Sequence, residues 1–283
     1  MLAKIHALNI DFKISPLINN LTNTHLLVEL GNNTISFLVY EDTPLCFTGF
    51  FMHKMEHDVY SNEYLHTLES ILNDNSKLLS SFASTKVFYN TAQSTLVPTS
   101  YFVETEKENI LNLLFGENAS TYCFKDTTKV NDIKLVYRVQ NKLYDEVNIL
   151  FPKSTFMHAT AAQIDNINAS ETLLKCIVYN NSIKLLYFKE GKVQIVQFFN
   201  YAVPADASYH LLNVCEQFDI DVNTIQLQLS GLIEEKSNLY QDIYKYFLNI
   251  TLAKLDSNVS ITEELNSLPQ HYYSPLVELA QCV

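Results

Sequence analysis

Hydrophobic and polar positions follow the same pattern in two separate stretches of the chain. Residues 26–51 and 176–199 each contain an apolar strand, an Asn-Asn turn, a second strand, a short polar turn and a third strand ending in Phe-Phe. Asparagine tolerates the left-handed backbone of tight hairpins, so each stretch predicts a three-stranded β-meander. The shared Asn-Asn-Thr/Ser-Ile turn favours an internal duplication. The alternative is two unrelated hairpins that draw on the same few strand-forming residues.

Helical spacing follows each meander and alternates with further strands. Apolar positions recur every three to four residues after the first meander, and Pro204 and Asp206 open a helix after the second. Helices are predicted over 63–79, 104–115, 156–167, 209–218, 236–247 and 265–283, and strands over 86–89, 224–230 and 250–255.

This alternation predicts an α/β fold of two domains, with mixed sheets flanked by helices. The first domain is expected to span 1–168 and to carry an insertion at about 91–136, which has no counterpart later in the chain. The second domain is expected over 169–264. Residues 265–283 are expected to form a C-terminal helix, with Pro275 near its start, that packs back on the first domain.

Composition narrows the classes of ligand. The 283-residue chain is 47% hydrophobic and 18% charged, which is typical of a globular protein rather than a disordered one. Its formal net charge is −12, and Arg138 is its only arginine. Binding to phosphate-rich polymers needs clustered Lys and Arg, so this composition argues against nucleic-acid binding.

Nothing in the sequence predicts export or membrane insertion. Met1–Ser15 alternates polar and apolar residues without the apolar centre of a signal peptide, and no stretch approaches the ~18 apolar residues of a membrane helix. The five cysteines are widely spaced and form no C-x-x-C pair, as expected for reduced thiols rather than a disulfide or zinc framework. We therefore expect a cytoplasmic protein.

A duplicated meander followed by alternating helices and strands resembles the actin-like ATPase superfamily, which has a ribonuclease H-like fold. This superfamily includes hexokinases and the bacterial proteins FtsA and PilM. More narrowly, the chain is similar to a bacterial family known mainly from Bacteroidetes, domain-of-unknown-function family 3822. The resemblance covers nearly the whole chain and implies a duplicated actin-like two-domain fold without an assigned activity. The motifs that carry it are Tyr89-Asn90, Thr95-Leu96-Val97-Pro98, Pro152, His158, His271-Tyr272-Tyr273 and Leu279-Ala280-Gln281-Cys282.

The resemblance also implies where a nucleotide would bind. In the superfamily, two acidic hairpin loops of the form D-x-G hold Mg²⁺ and the phosphates. The first loop here has Glu29 in place of Asp, keeps Gly31 and adds Asn32 and Thr34. A longer Glu would displace a Mg²⁺ ion that needs near-ideal distances of roughly 2.1 Å.

The second loop is more altered than the first. It contains Asn181 and Ser182 but neither an acid nor a glycine, and the loop expected to hold adenosine keeps one glycine, Gly231. Together with the first loop, these residues predict a vestigial nucleotide cleft. The alternative is that Gly31 and Gly231 simply end strands in turns, and that Glu29 is a solvated carboxylate at a strand end.

Other chemical motifs are weaker. His53-x-x-Glu56-His57 matches a zinc-protease pattern, but it follows a strand, where residues four apart lie about 13 Å apart. His158 is expected to be a packed or capping histidine, and Glu234-Glu235 is expected to begin a helix. We identify no catalytic residue and no metal-binding constellation in the sequence.

These observations favour a pseudoenzyme: a cytoplasmic scaffold or regulator with a degenerate actin-like fold that binds a protein partner and needs no cofactor. The alternative is an ATPase or kinase-like enzyme that binds ATP with Mg²⁺ through Glu29, Gly31, Thr34 and Gly231. Partner identity, oligomeric state and domain motion do not follow from the sequence.

Overall fold

The fold is known from a computed structural model that describes residues 12–14, 21–130, 132–168 and 170–282. Most of Met1–Ser15, for which the sequence predicts no signal peptide, lies outside these residues. In the described part of the chain, no helix combines the length and apolar character needed to cross a membrane. All five cysteines are free thiols.

The described residues form fifteen strands and eight α-helices. The first part contains β1 (Phe12–Ile14), β2 (Thr24–Gly31), β3 (Thr34–Asp42), β4 (Leu45–Lys54), α1 (Asn62–Asp74) and β5 (Ser84–Asn90). The middle contains β6 (Ser94–Pro98), α2 (Lys107–Phe115), β7 (Thr121–Thr127), β8 (Ile133–Gln140), α3 (Asn141–Leu150), β9 (Thr155–His158) and α4 (Ala159–Asp165). The last part contains β10 (Leu173–Val178), β11 (Ser182–Lys189), β12 (Lys192–Asn200), α5 (Pro204–Gln217), β13 (Leu227–Gly231), α6 (Asn238–Ile243), β14 (Ile250–Leu252), β15 (Ser260–Ile261), α7 (Glu263–Asn266) and α8 (Gln270–Gln281).

Two large sheets share one strand order. The first runs β1-β4-β3-β2-β5-β9, with β15 paired to β4, and the second runs β12-β11-β10-β13-β14. In each sheet the three strands of the meander are antiparallel, and the two strands that follow join in parallel. The two meanders predicted from the sequence are confirmed, and their surroundings match in topology.

Both faces of the first sheet are buried. Successive residues of a strand point to opposite faces, so Val28 and Leu30 lie under α1 and α3, whereas Leu27 lies under α4 and α8. Burial on both faces explains why β2 and β3 are almost continuously apolar rather than alternating.

Helices α4 and α8 lie between the two sheets. Tyr273 and Leu276 of α8 pack on the first sheet, and Ile164 of α4 packs against Ile177 and Leu186 of the second. The chain returns to the first sheet at β15, ahead of residue 265, where the sequence places the start of the C-terminal segment. The division into two domains stays a prediction.

The middle of the chain forms a small sheet of its own, in the order β6-β8-β7. Arg138 on β8 is only 2% exposed, and its guanidinium donates hydrogen bonds to the carbonyls of Gly116 (2.9 Å) and Phe115 (3.2 Å). These carbonyls end α2, where a cation offsets the negative end of the helix dipole. The only arginine of the chain therefore holds α2 against this sheet.

Three sequence predictions are wrong in this region and beyond. Residues 156–158 are strand rather than helix, because β9 pairs in parallel with β5. Glu234-Glu235 lies in a turn, and Ser237 begins α6 instead by accepting the Tyr240 N–H at 3.2 Å. The single helix predicted over 265–283 is instead two helices, α7 and α8, and Pro275 lies inside α8.

Candidate functional site

The two Asn-Asn turns lie on one cavity. Asn32 and Asn33 connect β2 to β3, and Asn181 lies in the turn between β10 and β11. All three line a cavity of about 530 Å³. The hairpin tips of the two meanders therefore form the walls of a single cleft.

The charges around this cleft are negative. Glu56, Asp58 and Asp206 line it, and the described residues that line it include no Lys or Arg. His57 is the only lining base in the described part of the chain. A polyphosphate would approach these carboxylates and a chain of net charge −12, so electrostatic repulsion opposes its entry.

The nearest helix N-terminus is already capped by the chain itself. The Asp206 carboxylate accepts the backbone N–H groups of Ala202 (2.9 Å) and Val203 (3.1 Å) at the start of α5. These hydrogen bonds lower the pKa of Asp206. Asp206 therefore places a negative charge at this helix end, where a phosphate would otherwise bind.

Beneath the cleft, a buried polar network joins the two sheets. Glu29 on β2 is 2% exposed, Asn90 at the end of β5 is 1% exposed, and Lys184 on β11 is fully buried. Asn90 Nδ2 donates to Glu29 Oε1 at 2.9 Å, and the Lys184 ammonium donates to Asn90 Oδ1 at 3.0 Å. One carboxamide thus connects a carboxylate of the first sheet to an ammonium of the second.

Two further side chains form hydrogen bonds with this bridge. Asn90 Nδ2 lies 2.6 Å from the hydroxyl of Tyr179, and Lys184 Nζ donates to Gln163 Oε1 on α4 at 2.6 Å. The ammonium also lies 5.1 Å from the centre of the Phe198 ring. A buried ammonium is costly unless its donors find acceptors, and here two amide oxygens and an aromatic face surround it.

Burial and the facing charge shift both pKa values. Burial raises the pKa of Glu29, and the Lys184 charge and the Asn90 hydrogen bond oppose that rise. Burial lowers the pKa of Lys184, and the Glu29 charge opposes that fall. Each charged form is therefore stabilised by the other across the carboxamide.

His158 stands at the edge of this network. It is fully buried, its Nδ1 accepts the Thr160 N–H at 3.1 Å, and its Nε2 lies 3.1 Å from the carbonyl oxygen of Thr91. Nε2 therefore carries the proton of a neutral imidazole. Burial lowers the pKa of His158 well below its usual value. The predicted capping histidine is confirmed, since it caps α4.

The two glycines of the predicted cleft occupy tight positions. A Cβ on Gly31 would lie 3.2 Å from both the carbonyl oxygen and Oγ1 of Thr34. Gly231 has φ +78°, and a Cβ there would lie 2.2 Å from the carbonyl oxygen of Val178 on β10. Backbone packing alone thus requires glycine at position 231.

Comparison with known proteins places the chain in a family. Residues 16–250 match the family described as a protein of unknown function, DUF3822. The chain belongs to this family. No curated protein matches the DUF3822 chain.

Solved structures show the fold of this DUF3822 protein. A Bacteroides thetaiotaomicron protein with an actin-like ATPase fold and unknown function superposes with a TM-score of 0.71 and 17% identity, covering 82% of this chain and 91% of its own. The PilM–PilN type IV pilus biogenesis complex gives a TM-score of 0.62 with 10% identity, covering 90% and 97%. EutJ from Carboxydothermus hydrogenoformans gives 0.50 with 9% identity, covering 95% and 92%. The chain has the actin-like ATPase fold.

The structure brings the predicted site residues to one region but in different settings. Of the seven, Asn32 and Asn181 line the cleft. Thr34 and Ser182 are buried at the starts of β3 and β11. Glu29 is not the solvated carboxylate of the alternative interpretation, because it is buried against Asn90. A nucleotide-binding role for these residues stays a prediction.

Sequence reasoning missed the partners of Glu29. The signal for Lys184 was present, since it lies within an apolar run of β11 whose only other charge, Lys189, is at the exposed end of the strand, and its neighbours on the same face, Leu186 and Phe188, are buried. Asn90 entered only as part of a family motif. No sequence pattern predicts the roles of Tyr179 and Gln163, because these roles depend on the packing of α4 between the sheets.

Removing the buried ammonium should destabilise the protein. Lys184→Met leaves the Glu29 carboxylate buried without its counter-charge, so we expect a loss of about 3 kcal/mol in the free energy of unfolding by urea denaturation. Adding Glu29→Gln should recover at least half of that loss. Lys189→Met, at the exposed end of the same strand, should change stability by less than about 0.5 kcal/mol. A coupling energy below about 0.5 kcal/mol would show that the two charges do not interact.

Gly231→Ala should lower the stability of the protein more than Gly116→Ala, although both glycines have a positive φ. Gly116 has φ +81° but open space where a Cβ would lie, so Gly116→Ala should cost only the backbone strain of about 1–3 kcal/mol. Gly231→Ala adds the clash with Val178, and we expect a larger drop in the urea midpoint. Equal midpoints for the two variants would refute the packing role of Gly231.

Proposed function

We propose that this DUF3822 protein is a non-catalytic cytoplasmic adaptor that keeps the actin-like fold and binds a protein partner instead of using a nucleotide. The observation that carries the proposal is the set of side chains in and around the cleft. Carboxylates line it, and the Glu29–Asn90–Lys184 bridge joins the two sheets.

ATP with Mg²⁺ does not fit these residues. The acid at the first loop, Glu29, is already bound by Asn90 and faces a protein ammonium rather than an open metal position. The described lining of the cleft offers three carboxylates and no Lys or Arg, whereas a triphosphate needs cations. These features favour the adaptor over the alternative, an ATP-binding or ATP-hydrolysing enzyme.

The surface of the insertion supports partner binding. Fourteen large hydrophobic side chains are exposed in the described part of the chain, and six of them lie between residues 101 and 122. Leu113 is 87% exposed and Tyr101 is 79% exposed. Exposed apolar side chains gathered in one segment of the chain make that segment a candidate protein-binding surface. We call these six the insertion patch: Tyr101, Val103, Leu113, Leu114, Phe115 and Tyr122.

Fold analogy points the same way. PilM has been solved in a complex with PilN for type IV pilus biogenesis, which gives one actin-like relative with a protein partner. An analogy between folds supports a binding role but does not identify the partner. The proposal for this chain therefore depends on its own cleft and insertion patch.

Nucleotides should leave the thermal stability unchanged. In a thermal-shift assay with millimolar ATP and Mg²⁺, we expect no rise in Tm, because the cleft repels the phosphates. A nucleotide at 100 times its Kd would add about 2.7 kcal/mol and raise Tm clearly. Such a rise, abolished by Glu29→Gln, would contradict the proposal and support the ATP-binding alternative.

Charge on the insertion patch should abolish partner binding. The tagged wild-type chain is purified from its own cells, and the proteins enriched with it are quantified by mass spectrometry. We expect the double variant Leu113→Glu/Leu114→Glu to lower the enrichment of these proteins at least ten-fold. Stability should change by less than about 0.5 kcal/mol per exposed site. Leu248→Glu is the matched control, since Leu248 is 71% exposed in the second half of the chain. Equal enrichment by the patch variant and the control would rule out the patch.

A further inference from the structure

A second cavity, of about 230 Å³, lies where the small sheet meets the edge of the first sheet. Five aromatic rings line it together with Lys125 and Asp126. Neighbouring rings in this series have centroids 4.9–6.2 Å apart, so they form a continuous aromatic wall. In order along the wall they are Tyr89, Phe156, Tyr144, Phe124 and Tyr137. Aromatic faces attract cations through their negative quadrupole.

Asp126 supplies a negative charge to the same cavity. Its Oδ2 accepts the backbone N–H of His158 at 2.6 Å, and the Tyr137 side chain is hydrogen-bonded to it. Burial raises the pKa of Asp126 to about 6, so the carboxylate is ionised at neutral pH but poorly solvated. Desolvation of this kind is relieved by a cation.

The neighbouring lysine does not supply that cation. Although Lys125 lines the cavity, its ammonium pairs with Glu104 and lies 5.2 Å from the centre of the Phe102 ring. Adjacent residues of a strand point to opposite faces, which separates the Lys125 ammonium from the Asp126 carboxylate. The cavity therefore keeps an unneutralised negative charge.

A buried hydroxyl in the cavity wall has no partner. Tyr89 is fully buried and lines the cavity, and its hydroxyl makes no hydrogen bond within the described part of the chain. Burial raises the pKa of Tyr89, and the nearby Tyr144 and Asp145 add to that increase. Buried hydroxyls are almost always paired, so an unpaired one indicates a missing donor or acceptor.

We infer that this cavity binds an alkylammonium group, with its N–H donors on the Asp126 carboxylate and the Tyr89 oxygen and its methylene groups against the aromatic wall. The volume is below that of sites for drug-sized ligands, which suits a single amine head group. The source is either a free amine or the lysine side chain of another molecule. The site is separate from the cleft, and it holds whether or not the adaptor proposal is correct.

The experiment titrates n-butylamine into the full-length protein at pH 7.5 by saturation-transfer NMR. We expect saturable binding with a Kd on the order of 1 mM and no binding of 1-butanol, its neutral counterpart. Asp126→Asn, which keeps an acceptor for the His158 N–H, should weaken binding at least ten-fold. Tyr89→Phe removes only the unpaired hydroxyl, so it should stay folded and weaken binding about three-fold or more. Glu117→Gln, an exposed charge on the insertion, should bind like the wild type.

Nα-acetyl-lysine methylamide separates the two sources of the amine. If it binds as tightly as n-butylamine, the site takes lysine side chains, and if only n-butylamine binds, the ligand is a free amine. The inference is overturned if the wild type shows no saturable amine binding, if 1-butanol binds equally well, or if Asp126→Asn leaves the affinity unchanged.

Discussion

A carboxylate and an ammonium are buried between the two sheets, and one carboxamide holds both. Neither charge of Glu29 or Lys184 would be tolerated alone at this depth, because each would lose its hydration without compensation. Asn90 pairs with both since its N–H₂ group faces the carboxylate and its oxygen faces the ammonium. The two sheets must therefore lie at the one separation that lets this side chain reach both partners. The same ammonium also fixes the position of α4, because Gln163 on that helix accepts a hydrogen bond from it.

This interaction uses residues that differ between two otherwise matching meanders. At the offset of 148 residues that aligns Asn32 with Asn180, Glu29 corresponds to Ile177 and Lys184 to Ser36. Each sheet thus contributes a charge that the other lacks at the matching position, although the two sheets agree in strand order and strand direction. The actin-like fold supports the cleft between the sheets. This chain joins the two sheets with its own side chains and lines the cleft with carboxylates.

The sequence was most informative where one physical rule acts locally. The meanders followed from apolar strands separated by Asn-Asn turns, and the family followed from short motifs along most of the chain. The strand at 156–158 was missed because its partner β5 lies more than sixty residues away. Glu29 could be singled out by its place before Gly31, whereas its burial could not, since Lys184 is distant in the chain. The aromatic cavity was missed for the same reason: its rings come from five separate elements.

The titration of the Glu29 carboxyl group, followed by ¹³C NMR, tests the central claim most directly. The account predicts that Glu29 titrates well above the usual pKa of a glutamate, that Lys184→Met raises this pKa further, and that ATP with Mg²⁺ leaves it unchanged. A pKa at the ordinary value would mean that the carboxylate is solvated. A downward shift on adding ATP with Mg²⁺ would mean that Glu29 binds a metal ion, and either result would contradict the buried pairing of Glu29 with Lys184 through Asn90.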